Sequence, residues 1–306
     1  MAITLFETFR AVFYTPFYAA HALDAYGAEG VDVELKTPSG PEQTASGLIS
    51  GATDVSWGGP MRIQLTYDQN PDCGLVAFCE AVTRDPFFVI GREPRANFQL
   101  RDLIGPRIGT VAEVPTPWMC LQEDLRAHGL DPAMVERVGD QTMAANEAAL
   151  RIGSLDAIQV FQPYAEHLIR DGIGHIWYAA ATRGPCAYTT LYTTRRMLND
   201  DPQSLLAMTR AIYRTQIWLH ATPDAEVAKT IASFFPDLAP EILIACIARY
   251  RSLGIWNTNP VLPRNGFDLL RQSCLSGGLI ATGADYETCV DTSLARQAIA
   301  ADPPSM

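Results

Sequence analysis

Residues 51–60 read GATDVSWGGP, and their pattern returns later in the chain at residues 153–163, which read GSLDAIQVFQP. In both copies a glycine ends a predicted helix, an aspartate three residues later starts a strand, and a proline opens the next helix. The repeated pattern predicts two structural units that are built to one plan.

Similar junctions surround the first copy. A short polar or glycine turn follows each predicted strand, and a proline then opens a helix, where its fixed φ is favourable. The order β-α-β-α-β-α predicts a parallel sheet with helices packed on it. The predicted segments are a helix from Thr15-Pro16 to Gly27, a strand over 31–35, a helix from 38–41 to about 50–51, a strand over 54–57 and a helix from Pro60.

A second unit begins near Arg107, and the last hundred or so residues are predicted to be helical. The second unit has strands over 108–112 and, more weakly, 135–138, with helices over 116–129 and 143–152. The C-terminal helices are predicted over 202–222, 223–235, 240–253 and 265–277. The alternation places the chain in the α/β class.

Composition excludes some functions. The 306 residues carry 23 Lys and Arg against 34 Asp and Glu, a formal net charge of −11. The basic surface that binds phosphates is missing, so nucleic acid is not an expected partner. Apolar residues make up 48%, which is typical of a globular chain. No apolar run approaches the ~18 residues of a membrane span.

The cysteines and the N-terminus bear on the compartment. Seven cysteines are scattered and never spaced as CxxC, which favours a reducing environment. Met1 runs directly into a strand-like segment, without the regions of a signal peptide. We therefore expect a cytoplasmic protein if Met1 is the natural start, and a periplasmic one if a signal peptide was removed.

Catalytic and metal-binding signatures are few. The five histidines form no HExxH or His/Cys pattern, and the GxSxG, GxxxxGK[ST] and GxGxxG motifs are missing. Cys120 lies near a predicted helix N-terminus. It is either an exposed thiol, whose pKa the helix would lower, or a buried structural thiol. The sequence therefore predicts no catalytic residue, no metal and no cofactor.

Aromatic side chains crowd the predicted turns at the carboxyl ends of strands, where open α/β sheets bind ligands. They either form a stacking pocket for a flat molecule or cap the core, and the nearby helix N-termini favour an anion. Arg84 could hold a carboxylate or sulfonate, or form a salt bridge. For Arg62, inside a helix, we expect a salt bridge with Glu80, Asp85 or Glu113. The aromatic residues are Phe13, Tyr14, Phe17, Trp57, Trp118 and Tyr164.

Residues 15–20 (TPFYAA), 30–35 (GVDVEL), 48–55 (LISGATDV) and 58–60 (GGP) share an order and a spacing with one known family. The sequence resembles the nitrate/sulfonate/taurine and thiamine-pyrimidine type of periplasmic solute-binding proteins. The similarity continues through 153–163, 191–202 and 277–280, so it covers nearly the whole chain.

The resemblance implies a two-lobed, type II clamshell in which each lobe is a mostly parallel sheet flanked by helices, with a helical C-terminal extension. Lobe one would comprise 1–82 plus 192–306, and lobe two 83–191. The hinges would lie near 81–85 and 187–192, with the ligand between the lobes. The expected ligand contacts are Phe13, Tyr14, Ser39, Gly40, Trp57, Gly58, Gly59, Arg84, Glu113, Thr116, Trp118, Gln162 and Tyr188.

A related branch of this fold builds the thiamine pyrimidine from pyridoxal phosphate and one of its own histidines. It carries a lysine and a histidine at the start of the helix after the third strand. Here that stretch, residues 58–62, reads GGPMR, and the second crossover at 184–188 reads GPCAY with one cysteine. Synthase chemistry therefore lacks its amine and its histidine.

We expect a substrate-binding protein that captures a small flat anionic or heteroaromatic solute for an ABC-type importer. A sulfonate, a carboxylate or a pyrimidine-like thiamine precursor would fit. The alternative is a cytoplasmic enzyme or ligand sensor on the same fold, because fold does not fix function. The expected partners are the ligand and an ABC permease, without nucleic acid or membrane insertion, and the resemblance implies a monomer.

Overall fold

The computed structural model describes residues 2–306, which form ten strands and fourteen helices. The strands are β1 Ile3–Phe6, β2 Val33–Lys36, β3 Val55–Gly58, β4 Leu75–Val82, β5 Phe88–Gly91, β6 Arg107–Val111, β7 Glu136–Gln141, β8 Ala157–Val160, β9 His175–Ala179 and β10 Thr189–Thr194. The helices are α1 Thr15–Ala22, α2 Ala25–Ala28, α3 Gln43–Ser50, α4 Pro60–Gln69, α5 Thr116–Ala127, α6 Met143–Arg151, α7 Tyr164–Arg170, α8 Arg195–Asp200, α9 Pro202–Ala221, α10 Asp224–Ile231, α11 Pro240–Ser252, α12 Arg264–Ser276, α13 Tyr286–Cys289 and α14 Ser293–Ala300.

Two five-stranded mixed sheets share one topology. The first has the order β2-β1-β3-β10-β4, with β10 antiparallel to its neighbours and β1 parallel to β2 and β3. The second has the order β7-β6-β8-β5-β9, with β5 antiparallel to its neighbours and β6 parallel to β7 and β8. In each sheet the antiparallel strand is the one that enters from the other sheet. The prediction of two helix-flanked, mostly parallel sheets is confirmed.

The chain crosses between the sheets over 83–87 and 180–188. The two crossing segments lie side by side, because the backbone N–H of Cys186 donates to the carbonyl oxygen of Thr83 at 2.8 Å. Strand β10 begins at Thr189, ahead of the lobe boundary expected from the sequence. Rotation of two lobes about these segments stays a prediction.

The repeated sequence pattern has a local structural cause. Asp54 accepts a hydrogen bond from the backbone N–H of Thr4 in β1, and Asp156 accepts one from that of Arg107 in β6, both at 2.8 Å. The glycine of each copy has a left-handed φ, 79° and 77°, which only glycine adopts without strain. Each aspartate therefore anchors its strand beside the first strand of its own sheet.

The C-terminal helices join both sheets. Helices α9, α11 and α12 match their predicted limits closely, whereas α10 ends at Ile231 and continues as a short 3-10 turn. Helix α9 packs against α1 and α2 of the first sheet, and α12 packs against both α4 and α5. Within residues 2–306, no helix has the length and apolar character needed to cross a membrane.

Candidate ligand-binding cleft

Loops at the carboxyl ends of β1, β3, β6 and β8 meet between the two sheets and line two adjoining pockets, which share Phe9. The inner pocket, of about 40 Å³, is lined by Thr8, Phe9, Phe13, Tyr14, Thr44, Gly58, Gly59, Met61, Arg62, Val114, Thr116 and Tyr188. The outer pocket, of about 460 Å³, is lined by Phe9, Arg10, Pro41, Glu113, Met143, Phe161, Pro163 and Tyr164.

The inner pocket is rich in neutral hydrogen-bond donors. Hydroxyl groups come from Thr8, Tyr14, Thr44, Thr116 and Tyr188, and none of the described lining residues is a carboxylate. The hydroxyls of Thr8 and Thr44 already donate to the carbonyl oxygens of Trp57 and Pro41, both at 2.6 Å, which leaves those of Tyr14, Thr116 and Tyr188 as donors for a ligand. Burial raises the pKa of both tyrosines well above the usual value, so their phenols stay protonated. This arrangement favours an acceptor-rich ligand over a cationic one.

Arg62 supplies a positive charge to the inner pocket. It lies in the first turn of α4, where a helical side chain points back toward the N-terminal end of its helix, here the pocket. The salt bridge expected from the sequence is absent among residues 2–306. The three carboxyl groups contact other partners: Glu80 binds Asn257, Asp85 binds Arg183, and Glu113 binds the backbone N–H of Met143. The guanidinium of Arg62 is therefore unpaired in a donor-lined pocket.

Because Gly58 has no side chain, the end of β3 lies close to Thr8 and Tyr192. A Cβ atom there would lie 2.9 Å from the Oγ1 of Thr8 and 3.4 Å from the ring of Tyr192. Thr8 is fixed, since its hydroxyl donates to the carbonyl oxygen of Trp57 at 2.6 Å. The buried hydroxyl of Tyr192 has no hydrogen-bond partner among the described residues. An unsatisfied donor therefore lies beside the inner pocket.

The outer pocket is mainly apolar, because its two charged residues are already engaged. Arg10 pairs with the buried Glu7, with 2.6 Å between Nη2 and Oε1. Glu113 accepts a hydrogen bond from the backbone N–H of Met143, at the start of α6, at 2.9 Å. Aromatic, proline and methionine side chains make up the remaining lining.

Aromatic contacts join the two sides of the cleft. The rings of Phe9 and Phe161 are nearly parallel, with centroids 6.0 Å apart, and Phe13 meets Phe161 edge to face at 5.3 Å. Phe9 and Phe13 follow β1 of the first sheet, whereas Phe161 follows β8 of the second. Because Phe13 lines the inner pocket, this contact joins the wall of that pocket to the second sheet.

The comparisons with known proteins agree with this geometry. Residues 13–226, more than half of the chain, match the NMT1/THI5-like family. The chain belongs to that family. It is 24% identical over 293 residues to YtlA, a candidate binding protein of Bacillus subtilis (strain 168), covering 95% of this chain and 88% of YtlA.

Two solved structures show how the NMT1/THI5-like chain folds. The periplasmic aliphatic sulphonate binding protein SsuA of Escherichia coli superposes with a TM-score of 0.76 at 15% identity, covering 94% of this chain and 96% of SsuA. The desulfurization enzyme DSZB superposes with a TM-score of 0.69 at 14% identity, covering 98% of this chain and all of DSZB. A DSZB mutant has been solved with biphenyl-2-sulfinic acid. The fold is thus that of type II periplasmic binding proteins, as the resemblance implied.

Seven of the thirteen sequence-predicted contacts line the cleft of this family member. Six line the inner pocket and one lines the outer pocket. The inner-pocket residues are Phe13, Tyr14, Gly58, Gly59, Thr116 and Tyr188, and the outer-pocket residue is Glu113. Ligand contact by these residues stays a prediction.

Both predicted tryptophans lie in the core instead. Trp57 is fully buried and stacks on Phe17, with ring centroids 4.7 Å apart, behind the pocket wall. Trp118 faces the core of the second unit, where the guanidinium of Arg137 lies 4.9 Å from its ring. Neither lines a cleft pocket.

Three other predicted residues support the backbone near the cleft. Ser39 and Gly40 precede α3, and the Ser39 hydroxyl accepts a hydrogen bond from Gln43 at 2.8 Å. Gln162 is buried, and its Oε1 accepts from the backbone N–H of Glu166 in the first turn of α7 at 2.8 Å. These residues lie outside the lining of both pockets.

Arg84 lies away from the two pockets. It belongs to the first crossing segment and donates to the carbonyl oxygen of Leu253 at 3.4 Å. A separate groove there includes Pro185 and His220. The basic residue beside the donor groups is therefore Arg62, and not Arg84.

Sequence reasoning missed Thr8, Phe9 and Phe161 as lining residues. Each directly follows or nearly follows a parallel strand, so the carboxyl-end rule could have identified them. Thr44 and Arg62 lie within helices, and only the orientation of those helices reveals them. In the described part of the chain, no group of three or more His, Cys, Asp or Glu side chains is placed to hold a metal ion.

Proposed function

We propose that this protein binds a small organic anion with a flat apolar body in the cleft and delivers it to an ABC-type permease. One observation carries the proposal. Arg62 places an unpaired guanidinium in a pocket whose other polar side chains are neutral hydroxyls, and three of these, on Tyr14, Thr116 and Tyr188, are not committed as donors to another described group. A sulfonate or a carboxylate would satisfy both features.

The inner pocket would hold the charged group of the ligand. Hydrogen bonds between a guanidinium and an oxyanion are charge-assisted and can be bidentate. Helices α4 and α5 also begin at this pocket, since Gly59 and Thr116 line it. Their N-terminal N–H groups and dipoles add favourable potential for an anion.

The outer pocket would hold the body of the ligand. Its volume of about 460 Å³ lies within the usual range of small-molecule sites. Phe9, Phe161 and Tyr164 offer ring faces for an aromatic ligand. An aromatic sulfonate or carboxylate therefore fits better than a purely polar solute.

Ligand entry would require the cleft to open. About 40 Å³ holds one or two water molecules, which is too little for a sulfonate group. We propose that lobe one, 1–82 plus 192–306, rotates against lobe two, 83–191, about the crossing segments. Separation of Phe161 from Phe9 and Phe13 would enlarge the inner pocket.

The comparisons support transport as the context. SsuA is a periplasmic sulphonate-binding protein by name, and YtlA is named as a candidate binding protein. We propose that this chain acts as a monomer that docks on a permease, in the periplasm if a signal peptide is removed from the natural protein. All seven cysteines are free in the structure, which would suit a reducing compartment for a cytoplasmic form.

An enzyme on the same fold is the second candidate, because DSZB shares the fold. The described lining of the two pockets contains no cysteine, histidine or lysine, and its one carboxylate, Glu113, is held by a backbone N–H. Nucleophilic catalysis usually needs such a group beside a base. The lining therefore favours binding over catalysis.

Matched charged and uncharged ligands test the proposal. Benzenesulfonate and benzoate, at about 100 times their dissociation constants, are expected to raise the melting temperature by roughly 5 °C. Benzenesulfonamide and benzamide, which share the ring but lack the charge, are expected to produce no rise at the same concentration. Equal shifts for charged and uncharged members would contradict the proposal, and so would no shift with any anion.

A further inference from the structure

We propose that Cys120 and Cys186 form a reversible disulfide that ties α5 to the second crossing segment. Their Sγ atoms lie 3.8 Å apart and already in contact. A disulfide requires about 2.05 Å between the sulfurs, so small side-chain rotations would suffice. This proposal is independent of the ligand.

The two cysteines both lie within the proposed lobe two, 83–191, where α5 meets the second crossing segment. Cys120 lies on α5, beside the second sheet, whereas Cys186 lies in the segment that returns to the first sheet. Cys186 is held through its backbone N–H to Thr83, and the next residue, Ala187, donates to Gly266 of α12 at 3.0 Å. A bond between the sulfurs would therefore join α5 to a backbone already fixed to the first crossing segment and to α12.

The two thiols share a buried site beside one charged side chain. Hydrogen bonding with Cys120, together with burial, raises the pKa of Cys186 well above its usual value. Cys186 thus stays protonated beside the sulfur of Cys120. The guanidinium of Arg183 lies close to both sulfurs.

A peroxide is the oxidant that this buried pair admits most readily, because it is small. One thiol of the pair gives up its proton and takes one oxygen atom from hydrogen peroxide, the O–O bond breaks, and the departing hydroxide takes up that proton to become water. The sulfur of the other cysteine then attacks the sulfenic acid, the S–O bond breaks, and a second water leaves with the proton of that thiol. Two thiols and one peroxide thus give one disulfide and two waters.

The bond would act on the cleft through α5. Thr116, which lines the inner pocket, lies one helical turn before Cys120 on the same helix. Fixing α5 to the crossing segment holds Thr116 in its present position relative to that segment. Oxidation is therefore expected to stiffen one of the two segments about which the lobes would rotate, and reduction to release it.

Peptide mapping of the full chain tests this proposal. After treatment with hydrogen peroxide in native buffer, a non-reducing digest is expected to contain one linked peptide pair, from Cys120 and Cys186, which dithiothreitol separates. The oxidised protein should also melt at a higher temperature, since the bond closes a loop between residues 66 apart in sequence. The Cys246→Ser variant, whose thiol is buried elsewhere in α11, should form the same link.

Three outcomes would overturn the proposal. They are a link from Cys120 to Cys274 instead, oxidation of Cys120 to sulfinic acid without any link, and a linked pair that appears only in denaturant. The wild-type digest decides the matter even if Cys120→Ala or Cys186→Ala fails to fold. If Cys120→Ala and Cys186→Ala fold, oxidation should not raise the melting temperature of either variant.

Discussion

Replacing Arg183 with methionine is expected to lower the free energy of unfolding by about 3–5 kcal/mol, the usual cost of leaving a buried charge unpaired. Arg183 is 5% exposed and binds two aspartates. Its Nη1 lies 2.6 Å from Asp85, whose side chain is fully buried, and its Nε lies 3.0 Å from Asp124. Methionine keeps most of the volume but leaves both carboxylates without their cation.

The large effect follows from where this cluster lies. Asp85 belongs to the first crossing segment, Arg183 to the second, and Asp124 to α5. Burial raises the pKa of Asp85 even beside Arg183. Loss of the cation would therefore favour protonation of Asp85, or separation of the two crossing segments and α5 from one another.

Chemical denaturation measures this cost, with Arg196→Met as the matched control. Arg196 pairs with Asp200 at the surface, where its side chain is 90% exposed, so its loss should cost below about 1 kcal/mol. Equal unfolding free energies for the two variants would show that the buried cluster does not stabilise the fold.

Replacing Glu80 with glutamine is expected to stabilise the protein at neutral pH by about 3 kcal/mol and to flatten its pH dependence. Burial raises the pKa of Glu80 to about 8, although hydrogen bonds from Thr83 and Asn257 oppose the shift. The native state keeps this proton between about pH 4.5 and 8, while the unfolded chain releases it. The contribution of Glu80 to wild-type stability should therefore be complete below about pH 4.5 and be lost as pH rises toward 8.

Unfolding curves between pH 4 and 8 test this expectation. Glutamine has the same shape and can keep the hydrogen bond that Asn257 Nδ2 donates to Glu80 at 2.6 Å. The variant should differ little from wild type at pH 4 and most at pH 8. Glu34→Gln, on the exposed side of β2, should leave the pH slope as in wild type. A Glu80→Gln variant that loses stability at pH 8 would show that the carboxylate is charged and paired.

The parts of the fold that depend on residues close together in the chain could be predicted from the sequence. Asp54 and Asp156 make the same contact in each sheet, so the pattern around them recurs in sequence. Strands β5 and β10 lack such a signal, because each pairs with strands distant in sequence. β10 reads TTLYTT and is almost wholly buried, so no alternation of polar and apolar residues marks it.

The site was predictable at strand ends and less so elsewhere. Gly58, Gly59 and Thr116 follow from the rule that ligands bind at the carboxyl ends of parallel strands. Whether Arg62 or Arg84 reaches the cleft depends on the direction in which each side chain points, and the sequence does not show that direction. Trp118 follows a strand end but faces the core, because α5 rotates it away from the cleft.

Titration calorimetry with wild-type, Arg62→Gln and Arg84→Gln proteins tests the central claim most directly. The titrant is whichever of benzenesulfonate and benzoate gives the larger rise in melting temperature with wild type. Loss of a charge-assisted hydrogen bond in the inner pocket is expected to weaken binding about 10- to 100-fold in Arg62→Gln. Arg84→Gln, which changes a residue outside both pockets, should bind as wild type does. Unchanged affinity in Arg62→Gln, or a loss confined to Arg84→Gln, would contradict binding of an anion in the inner pocket.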